Sequence, residues 1–425
     1  MIQMTYKPIT YIDLFSGCGG MSEGFQMSKS FEGLAHIDYE LPMVNVLRNR
    51  LQSKYGYSEH ESLKKVIHMD ISATKLLFGG FKDSTREMDK VQQKFLETNS
   101  NDFLEGGLHQ IIGRRQVQVI IGGPSCQAYS IAGRAQSPDG MKSDPRNYLF
   151  ESFVDIVDAL KPNVFVFENV PGMLSAKPNG IIPITMLIRQ AFEKINYLIH
   201  EDLSEVVFDM SQYGLPQKRK RLIIFGVKKD GNHNLYDFYS KLKNRSNSKN
   251  TVSVYDSIGH LPKLKPKSSF GQSYSHEYQT GEIQIPFHEP RFHSERDQEI
   301  FYQWIEGKWN KQSAEKKLQF YLSHQGIKRK SLIGAKINKY RNLEWDKPSP
   351  TIVAHLKKDG LLFIHPDKEQ RRTLTVKECA LLQGFPEDYK FSPYPGWNYQ
   401  MIGNAVPPTF ARILADVIAD VLKEN

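Results

Sequence analysis

The amino-terminal stretch joins an apolar strand, a glycine-rich turn and a helix without a break, and this junction constrains the fold most strongly. Residues 9–15 read ITYIDLF, SGCGG follows at 16–20, and a helical stretch runs from Met21 to about Ser28. Strands that alternate with helices predict an α/β domain with a mostly parallel sheet. The further apolar runs of strand length lie at 34–38, 66–72, 117–123 and 163–170, and residues 147–162 have the apolar spacing of a helix.

Residues that could carry chemistry fall where these predicted strands end. In parallel sheets, ligands bind beyond the carboxyl ends of the strands. The small residues of the turn would let the backbone approach a ligand, although the turn lacks the GxGxxG spacing and is equally compatible with an ordinary tight turn. Asp38 and Asp70 could accept hydrogen bonds from a nucleoside, or they could cap helices. The candidates at this edge are the turn at 16–20, Asp38, Asp70, Cys126 and Glu168.

Cys126 is the most informative of the three cysteines, the others being Cys18 and Cys379. Their wide spacing and the absence of a CxxC pair argue against a zinc site or a disulfide framework. A free cysteine is most often a small buried hydrophobe. Cys126, however, follows a strand end in the sequence GGPSCQ, and the next strand brings Glu168 to the same edge. A thiolate beside a carboxylic acid suits nucleophilic attack coupled to protonation of the substrate.

A basic motif, GLPQKRKRLIIFG at 214–226, enters another apolar run. Arg219 and Arg221 alternate and therefore share one face of the entering strand, while Lys218 and Lys220 share the other. An arginine guanidinium can bind a phosphate or a carbonyl oxygen through two hydrogen bonds at once. The alternative is a basic gatekeeper that keeps an apolar strand from aggregating.

Six motifs occur in one order: DLFSGCGG, GGPSCQAYS, FENV, QKRKR, RTLTVKECALLQGFP and QMIGNAVPP. Together they resemble the cytosine-C5 DNA methyltransferases, which use S-adenosylmethionine, over about 1–230 and 345–425. The resemblance implies a Rossmann-like methyltransferase domain in which Cys126 attacks C6 of a flipped-out cytosine. Glu168 would hold and protonate N3, and Asn169 would position the loop of that glutamate. Arg219 and Arg221 match the family's pair that contacts the base carbonyl and a nearby phosphate.

The resemblance also implies a pocket for S-adenosylmethionine, and no metal. Asp70 would reach the adenine amino group, and Asn404 and Val406 would return beside the first turn. Where the family commonly has a glutamate for the ribose, this chain has His36, so Asp38 or Glu40 could share that role. The implied cofactor set is Phe15, Ser16, Gly17, Cys18, Gly19, Gly20, His36, Ile37, Asp38, Asp70, Ile71, Asn404 and Val406.

The middle of the chain differs in composition from both ends. Between Lys228 and Trp345 there are 21 Lys and Arg against 12 Asp and Glu, so this region carries the whole net charge of +9. We expect a catalytic domain at 1–231, a target-recognition domain at 232–345 that contacts DNA phosphates, and a return to the catalytic domain at 346–425. The best candidate for a DNA-contacting loop is 323–341. An ordinary lysine-rich surface would give the same charge.

The predicted function is methylation of C5 of cytosine in a specific double-stranded DNA sequence. The expected setting is the bacterial cytoplasm and nucleoid, as a monomer paired with a cognate restriction endonuclease or as a solitary methylase. One rival is the tRNA-methylating branch of the family, whose Cys-Phe-Thr signature is absent here. Another is a catalytically silent DNA-binding regulator, and a nicotinamide or flavin oxidoreductase would rest on the glycine-rich turn alone. No signal peptide is expected, and no apolar run approaches the ~20 residues of a membrane span.

Overall fold

The computed structural model describes residues 7–82, 90–124, 145–178, 180–247, 251–267, 275–307 and 340–423. Cys126 and residues 323–339 of the candidate DNA-contacting loop lie outside these ranges, whereas Tyr340 and Arg341 lie within them. The strands are β1 (Ile9–Leu14), β2 (Phe31–Asp38), β3 (Val66–His68), β4 (Val119–Gly122), β5 (Val164–Asn169), β6 (Tyr197–Ile199), β7 (Val207–Asp209), β8 (Gln217–Lys218), β9 (Lys220–Lys228), β10 (Leu264–Pro266), β11 (His276–Tyr278) and β12 (Ser349–Pro350).

The α-helices alternate with the strands in the amino-terminal half and dominate the carboxyl-terminal part. They are α1 (Gly20–Ser28), α2 (Leu41–Tyr55), α3 (Glu59–Lys65), α4 (Thr74–Gly79), α5 (Lys90–Thr98), α6 (Asn101–Ile112), α7 (Leu149–Leu160), α8 (Ile184–Lys194), α9 (Leu235–Asn244), α10 (Val254–Ile258), α11 (Glu295–Ile305), α12 (Val376–Leu382), α13 (Pro395–Asn404) and α14 (Pro408–Lys423).

One large sheet confirms the predicted α/β fold. Its strand order is β3-β2-β1-β4-β5-β9-β6, and β7 also pairs with β9. Strands β1 to β5 are mutually parallel, whereas β9 runs antiparallel to β5, β6 and β7. The chain moves outward from β1 to β3 and then crosses back to β4. The order therefore reverses between β1 and β4, and a crevice forms beyond their carboxyl ends.

All five predicted strands are present, but the one expected at 66–72 ends at His68. There the Asp70 Oδ1 accepts hydrogen bonds from the Ser72 backbone N–H at 2.9 Å and from the Ser72 hydroxyl at 2.7 Å. This local bond to the backbone competes with strand pairing and turns the chain. Asp70 is thereby held at the sheet edge.

The two largest hydrophobic cores among the described residues each combine segments that lie far apart in the chain. Helix α9 buries Leu235, Phe238 and Leu242 in the core of the large sheet, so that core extends past residue 231. A second core joins residues 254–261 to most of the buried side chains between 343 and 402. Val406 and the apolar face of α14 return to the first core.

A glycine lets α14 pack tightly on α1. A Cβ atom at Gly24 of α1 would lie 2.4 Å from the Cβ of Ala411 on α14. Real side chains do not approach so closely, so any larger residue would push the two helices apart. Because α1 follows the glycine-rich turn directly, this contact fixes the end of the chain beside the crevice.

Candidate active site

A cleft of about 640 Å³ opens at the crevice, within the range of about 300–1,000 Å³ typical of small-molecule sites. Its walls come from the ends of β1, β2, β4 and β5, and from the end of α13. Most of the residues predicted to act on cofactor or base meet here. They are Phe15, Ser16, Gly17, Cys18, Gly20, Asp38, Asp70, Ile71, Glu168, Arg221, Asn404 and Val406.

The glycine-rich turn needs its glycines for conformation and for close approach. Gly17 and Gly19 have φ of 56° and 88°, in the left-handed region that glycine enters without strain. A Cβ on Gly20 would lie 2.4 Å from the carbonyl oxygen of Val406. The IGNAVPP segment therefore returns beside the first turn. Gly19 itself does not line the cleft, because its α-carbon faces Leu47.

Asp38 lines the cleft beside the turn and accepts hydrogen bonds through both carboxylate oxygens. Its Oδ2 accepts a hydrogen bond from the Gly17 backbone N–H at 2.8 Å, and its Oδ1 accepts one from the Glu40 backbone N–H at 2.9 Å. Burial raises the pKa of Asp38 to about 6. Each oxygen keeps a further lone pair for a ligand.

His36 and Ile37 do not line the cleft, and the structure gives no support for His36 as a ribose contact. His36 is 1% exposed, and its Nδ1 lies 2.7 Å from the Ser22 hydroxyl in the core beneath the turn. Burial lowers the pKa of His36 to about 3, so the ring is neutral. Tyr39 and Glu40, the first residues after β2, line the cleft instead.

Glu168 and Arg221 form an ion pair on the other side of the cleft. The Arg221 Nε lies 2.8 Å from the Glu168 Oε1, and both side chains are about nine-tenths buried, with 11% exposed. A Cβ on Gly123 would lie 2.8 Å from the Glu168 Oε2, so the glycine after β4 makes room for the carboxylate. An acidic group is thus fixed in a pocket where a planar ligand could reach it.

Asn169 anchors the chain immediately before Ser125 and Cys126. Its Nδ2 donates to the Pro124 carbonyl oxygen at 3.2 Å, and its Oδ1 accepts from the Val170 backbone N–H at 2.9 Å. Asn169 is fully buried and Pro124 lines the cleft. Asn169 therefore fixes Pro124, the last described residue before Cys126, in the wall of the cleft.

Arg219 lies outside the cleft, between the end of β8 and the start of β9. It is 1% exposed, and its guanidinium donates to three carbonyl oxygens at 3.0–3.1 Å. These belong to Ile352, Gly403 and Ala405. Since Gly403 and Ala405 line the cleft, Arg219 supports the wall from behind.

An Arg219→Met variant should therefore lose stability first. Methionine fills similar volume but leaves three buried carbonyl oxygens without this donor, which we expect to lower the free energy of unfolding by roughly 3 kcal/mol. Urea unfolding followed by circular dichroism measures the loss. Lys220→Met, at the exposed neighbouring position, is the control and should stay within about 0.5 kcal/mol. Equal midpoints for the two variants would refute a supporting role.

Several residues of the cleft were not predicted individually as site residues. Arg146 and Leu149 enter from the short 3₁₀ helix and α7 that follow the Cys126 region, and Gln400 and Met401 enter from α13. Their positions depend on contacts between distant segments. The predicted helix at 147–162 includes Leu149 and the motif QMIGNAVPP includes Gln400 and Met401, but neither pattern predicts that these side chains reach the cleft.

The sequence model of the C-5 cytosine-specific DNA methylase family matches residues 84–420. The type II methyltransferase M.Bpa9945I of Bacillus paralicheniformis is 32% identical, over 97% of this chain and 98% of that protein. The type II methyltransferase M1.HphI of Haemophilus parahaemolyticus is 29% identical, over 98% and 87%.

Solved structures share the fold at lower identity. One named as a prophage-encoded DNA modification methyltransferase (E. coli) has a TM-score of 0.61 at 21% identity, covering 98% of this chain and 99% of that one. The S. pombe Dnmt2 methyltransferase has a TM-score of 0.51 at 14% identity, with the same coverage. These two likenesses concern the fold alone. Because the family's sequence model spans most of the residues and a relative exceeds 30% identity along nearly the whole length, the chain belongs to the C-5 cytosine-specific DNA methylases.

Proposed function

We propose that the chain methylates C5 of a flipped-out cytosine in a specific double-stranded DNA sequence, with S-adenosylmethionine as methyl donor. The observation that carries the proposal is the Glu168–Arg221 pair, which shares one cleft with the glycine-rich turn and Asp38. The relatives' type II names support a role in restriction–modification, where methylation protects host DNA from a cognate endonuclease. The expected setting remains a monomer in the bacterial cytoplasm and nucleoid.

The cleft residues fit S-adenosylmethionine in size and in donor set. We expect Asp38 and Glu40 to accept hydrogen bonds from the ribose hydroxyls, and Asp70 to accept one from the adenine amino group. Asn404 and the backbone of the turn would hold the amino-acid end. When bound, the cofactor supplies an electrophilic methyl group. The full set that we propose is Phe15, Ser16, Gly17, Cys18, Gly20, Asp38, Tyr39, Glu40, Asp70, Ile71, Asn404 and Val406.

The chemistry proposed for cytosine needs a nucleophile and an acid on one ring. Cys126 would attack C6 as a thiolate and form a carbon–sulfur bond, while Glu168 delivers a proton to N3 so that no uncompensated negative charge builds up on the ring. C5 then becomes nucleophilic and accepts the methyl group. Loss of the C5 proton to a base, elimination of the Cys126 thiolate and return of the N3 proton to Glu168 restore the aromatic base. Arg221 would hold Glu168 in position and reach the base carbonyl.

The other two cysteines, Cys18 and Cys379, are buried and poorly suited to act as nucleophiles, which supports the choice of Cys126. Burial raises the pKa of Cys18 to about 12 and raises that of Cys379 well above its ordinary value. A thiol attacks as the thiolate, so neither is a useful nucleophile near neutral pH.

Among the described residues, no helix is long and apolar enough to cross a bilayer.

Methyl transfer from radiolabelled S-adenosylmethionine to duplex DNA and to tRNA tests the proposal. We expect label in DNA that carries the recognition sequence, which bisulfite sequencing of DNA from an expressing host would identify. Label in tRNA alone would assign the chain to the tRNA-methylating branch. Absence of transfer to either substrate, together with DNA binding, would instead indicate a silent regulator.

Cofactor affinity should depend on pH through Asp38. The ionised carboxylate is the stronger acceptor for the ribose hydrogen bonds, and the pKa of Asp38, about 6, lies above the ordinary value of 3.8. Protonation therefore competes with binding, and the Kd should rise by up to about tenfold per pH unit below pH 6 and stay level above pH 7. Isothermal titration with S-adenosylhomocysteine on both sides of this pKa measures the effect. Asp38→Asn should bind weakly with a flatter profile, and a level wild-type profile would contradict the role.

A further inference from the structure

A buried tyrosine touches the glycine-rich turn from outside the cleft. Tyr389 belongs to the second core and is 3% exposed. Its hydroxyl donates a hydrogen bond to the carbonyl oxygen of Cys18, and a Cβ on Gly19 would lie 3.3 Å from the same hydroxyl. Cys18 lines the cleft, whereas Tyr389 does not. The tyrosine can therefore act on a ligand only through the backbone of the turn.

An arginine fixes the position of this tyrosine. The guanidinium carbon of Arg50 on α2 lies 4.7 Å from the centre of the Tyr389 ring, a cation–π distance. The Arg50 Nε donates to the Glu23 Oε2 at 3.0 Å, and an Arg50 terminal nitrogen donates to the Asp388 carbonyl oxygen at 3.2 Å. The Arg50 and Glu23 side chains are each only 2% exposed.

These contacts join three parts of the molecule that sequence separates widely. Glu23 lies on α1, which the turn opens, Arg50 lies on α2, and Asp388 and Tyr389 follow the GFP motif of the second core. Buried ion pairs of this kind contribute little net stability, but they specify one geometry because a displaced partner leaves an unpaired buried charge. The side chain of Tyr389 is thus held against the turn.

The turn is consequently held at two successive residues. Asp38 accepts from the backbone N–H of Gly17, and Tyr389 donates to the carbonyl of Cys18. Together they fix the orientation of the peptide groups that face the cleft. Without the tyrosine hydroxyl, a turn rich in glycine would sample more conformations, and a ligand would have to select the binding one.

We propose that Tyr389 is a positioning residue for the cofactor, which holds the glycine-rich turn in its binding conformation and makes the second core a determinant of cofactor affinity. The inference rests on the proposed function, in which this cleft binds S-adenosylmethionine. It adds a residue outside the cleft that acts only through Cys18.

The test is isothermal titration of wild type, Tyr389→Phe and Tyr239→Phe with S-adenosylhomocysteine, with steady-state kinetics alongside. Tyr239 is the matched control, since it is equally buried, at 3% exposed, and its hydroxyl also donates to a backbone carbonyl, that of Ile223 at 3.1 Å. We expect Tyr389→Phe to raise the Kd and the cofactor KM by about three- to tenfold, with kcat and the KM for DNA unchanged. Tyr239→Phe should leave the Kd unchanged.

The possible outcomes distinguish a failure of the role inferred for Tyr389 from a failure of the proposed cofactor site. Wild-type protein that does not bind S-adenosylhomocysteine would overturn the proposed function and the inference with it. Wild-type binding with an unchanged Kd in Tyr389→Phe would overturn the inference alone. Equal weakening in both variants would also overturn it, because the effect would then come from general loss of core stability.

Discussion

A Cys126→Ser variant is expected to lose methyl transfer entirely while it keeps most of its affinity for duplex DNA. A serine hydroxyl stays protonated near neutral pH and needs an adjacent base to act as a nucleophile, whereas a thiol ionises far more readily. The sensitive measurement is a covalent complex with DNA that contains 5-fluorocytosine at the target position. Fluorine blocks loss of the C5 substituent, so the adduct accumulates and survives denaturing electrophoresis.

Cys379→Ala is the matched control for that experiment. Cys379 is fully buried in the second core and its pKa is raised by burial, so its loss should leave adduct formation intact. An adduct that persists in Cys126→Ser, or one that disappears in Cys379→Ala, would contradict the assignment of the nucleophile. Wild-type protein that forms no adduct on its own methylation site would contradict the covalent mechanism as a whole.

The sheet could be predicted from sequence because its strands are buried on both faces. Strands covered by helices on both sides read as continuous apolar runs, and residues 9–15 and 163–170 show this directly. The same logic placed Asp38, Asp70 and Glu168 at one edge, since the carboxyl ends of parallel strands meet there. The short antiparallel strands β6 and β7, each of three residues, give no such run and were not predicted.

How completely a side chain is covered by other segments could not be predicted from sequence. This coverage decides the roles of His36 and Arg219. His36 and Asp38 share one face of β2, yet Asp38 reaches the cleft and His36 stays in the core. Likewise Arg221 contacts Glu168 in the cleft, while Arg219 is covered by Ile352 and by Gly403 of α13. Alternation assigns a side chain to a face, but only the packing of distant segments determines what covers it.

Glu168→Gln should lower kcat by about 10²- to 10⁴-fold, the usual contribution of a positioned acid or base. Glutamine keeps the shape of the side chain and can still accept a hydrogen bond from Arg221, but it has no proton to deliver to N3. Single-turnover methyl transfer at saturating cofactor and DNA isolates this step from binding. Glu151→Gln, at an exposed position on α7, is the control and should match wild type. A Glu168→Gln rate within twofold of wild type would exclude Glu168 as the acid.

A double variant then distinguishes direct chemistry from a disturbed ion pair. If Arg221 acts mainly by holding Glu168, Arg221→Met should slow the step in wild type but add little to Glu168→Gln, because the two side chains, 2.8 Å apart, would work as a unit. If the two losses multiply, Arg221 instead contacts the base independently. The rate of the double variant, compared with the rates of the two single variants, therefore shows whether Arg221 acts through Glu168 or on the base itself.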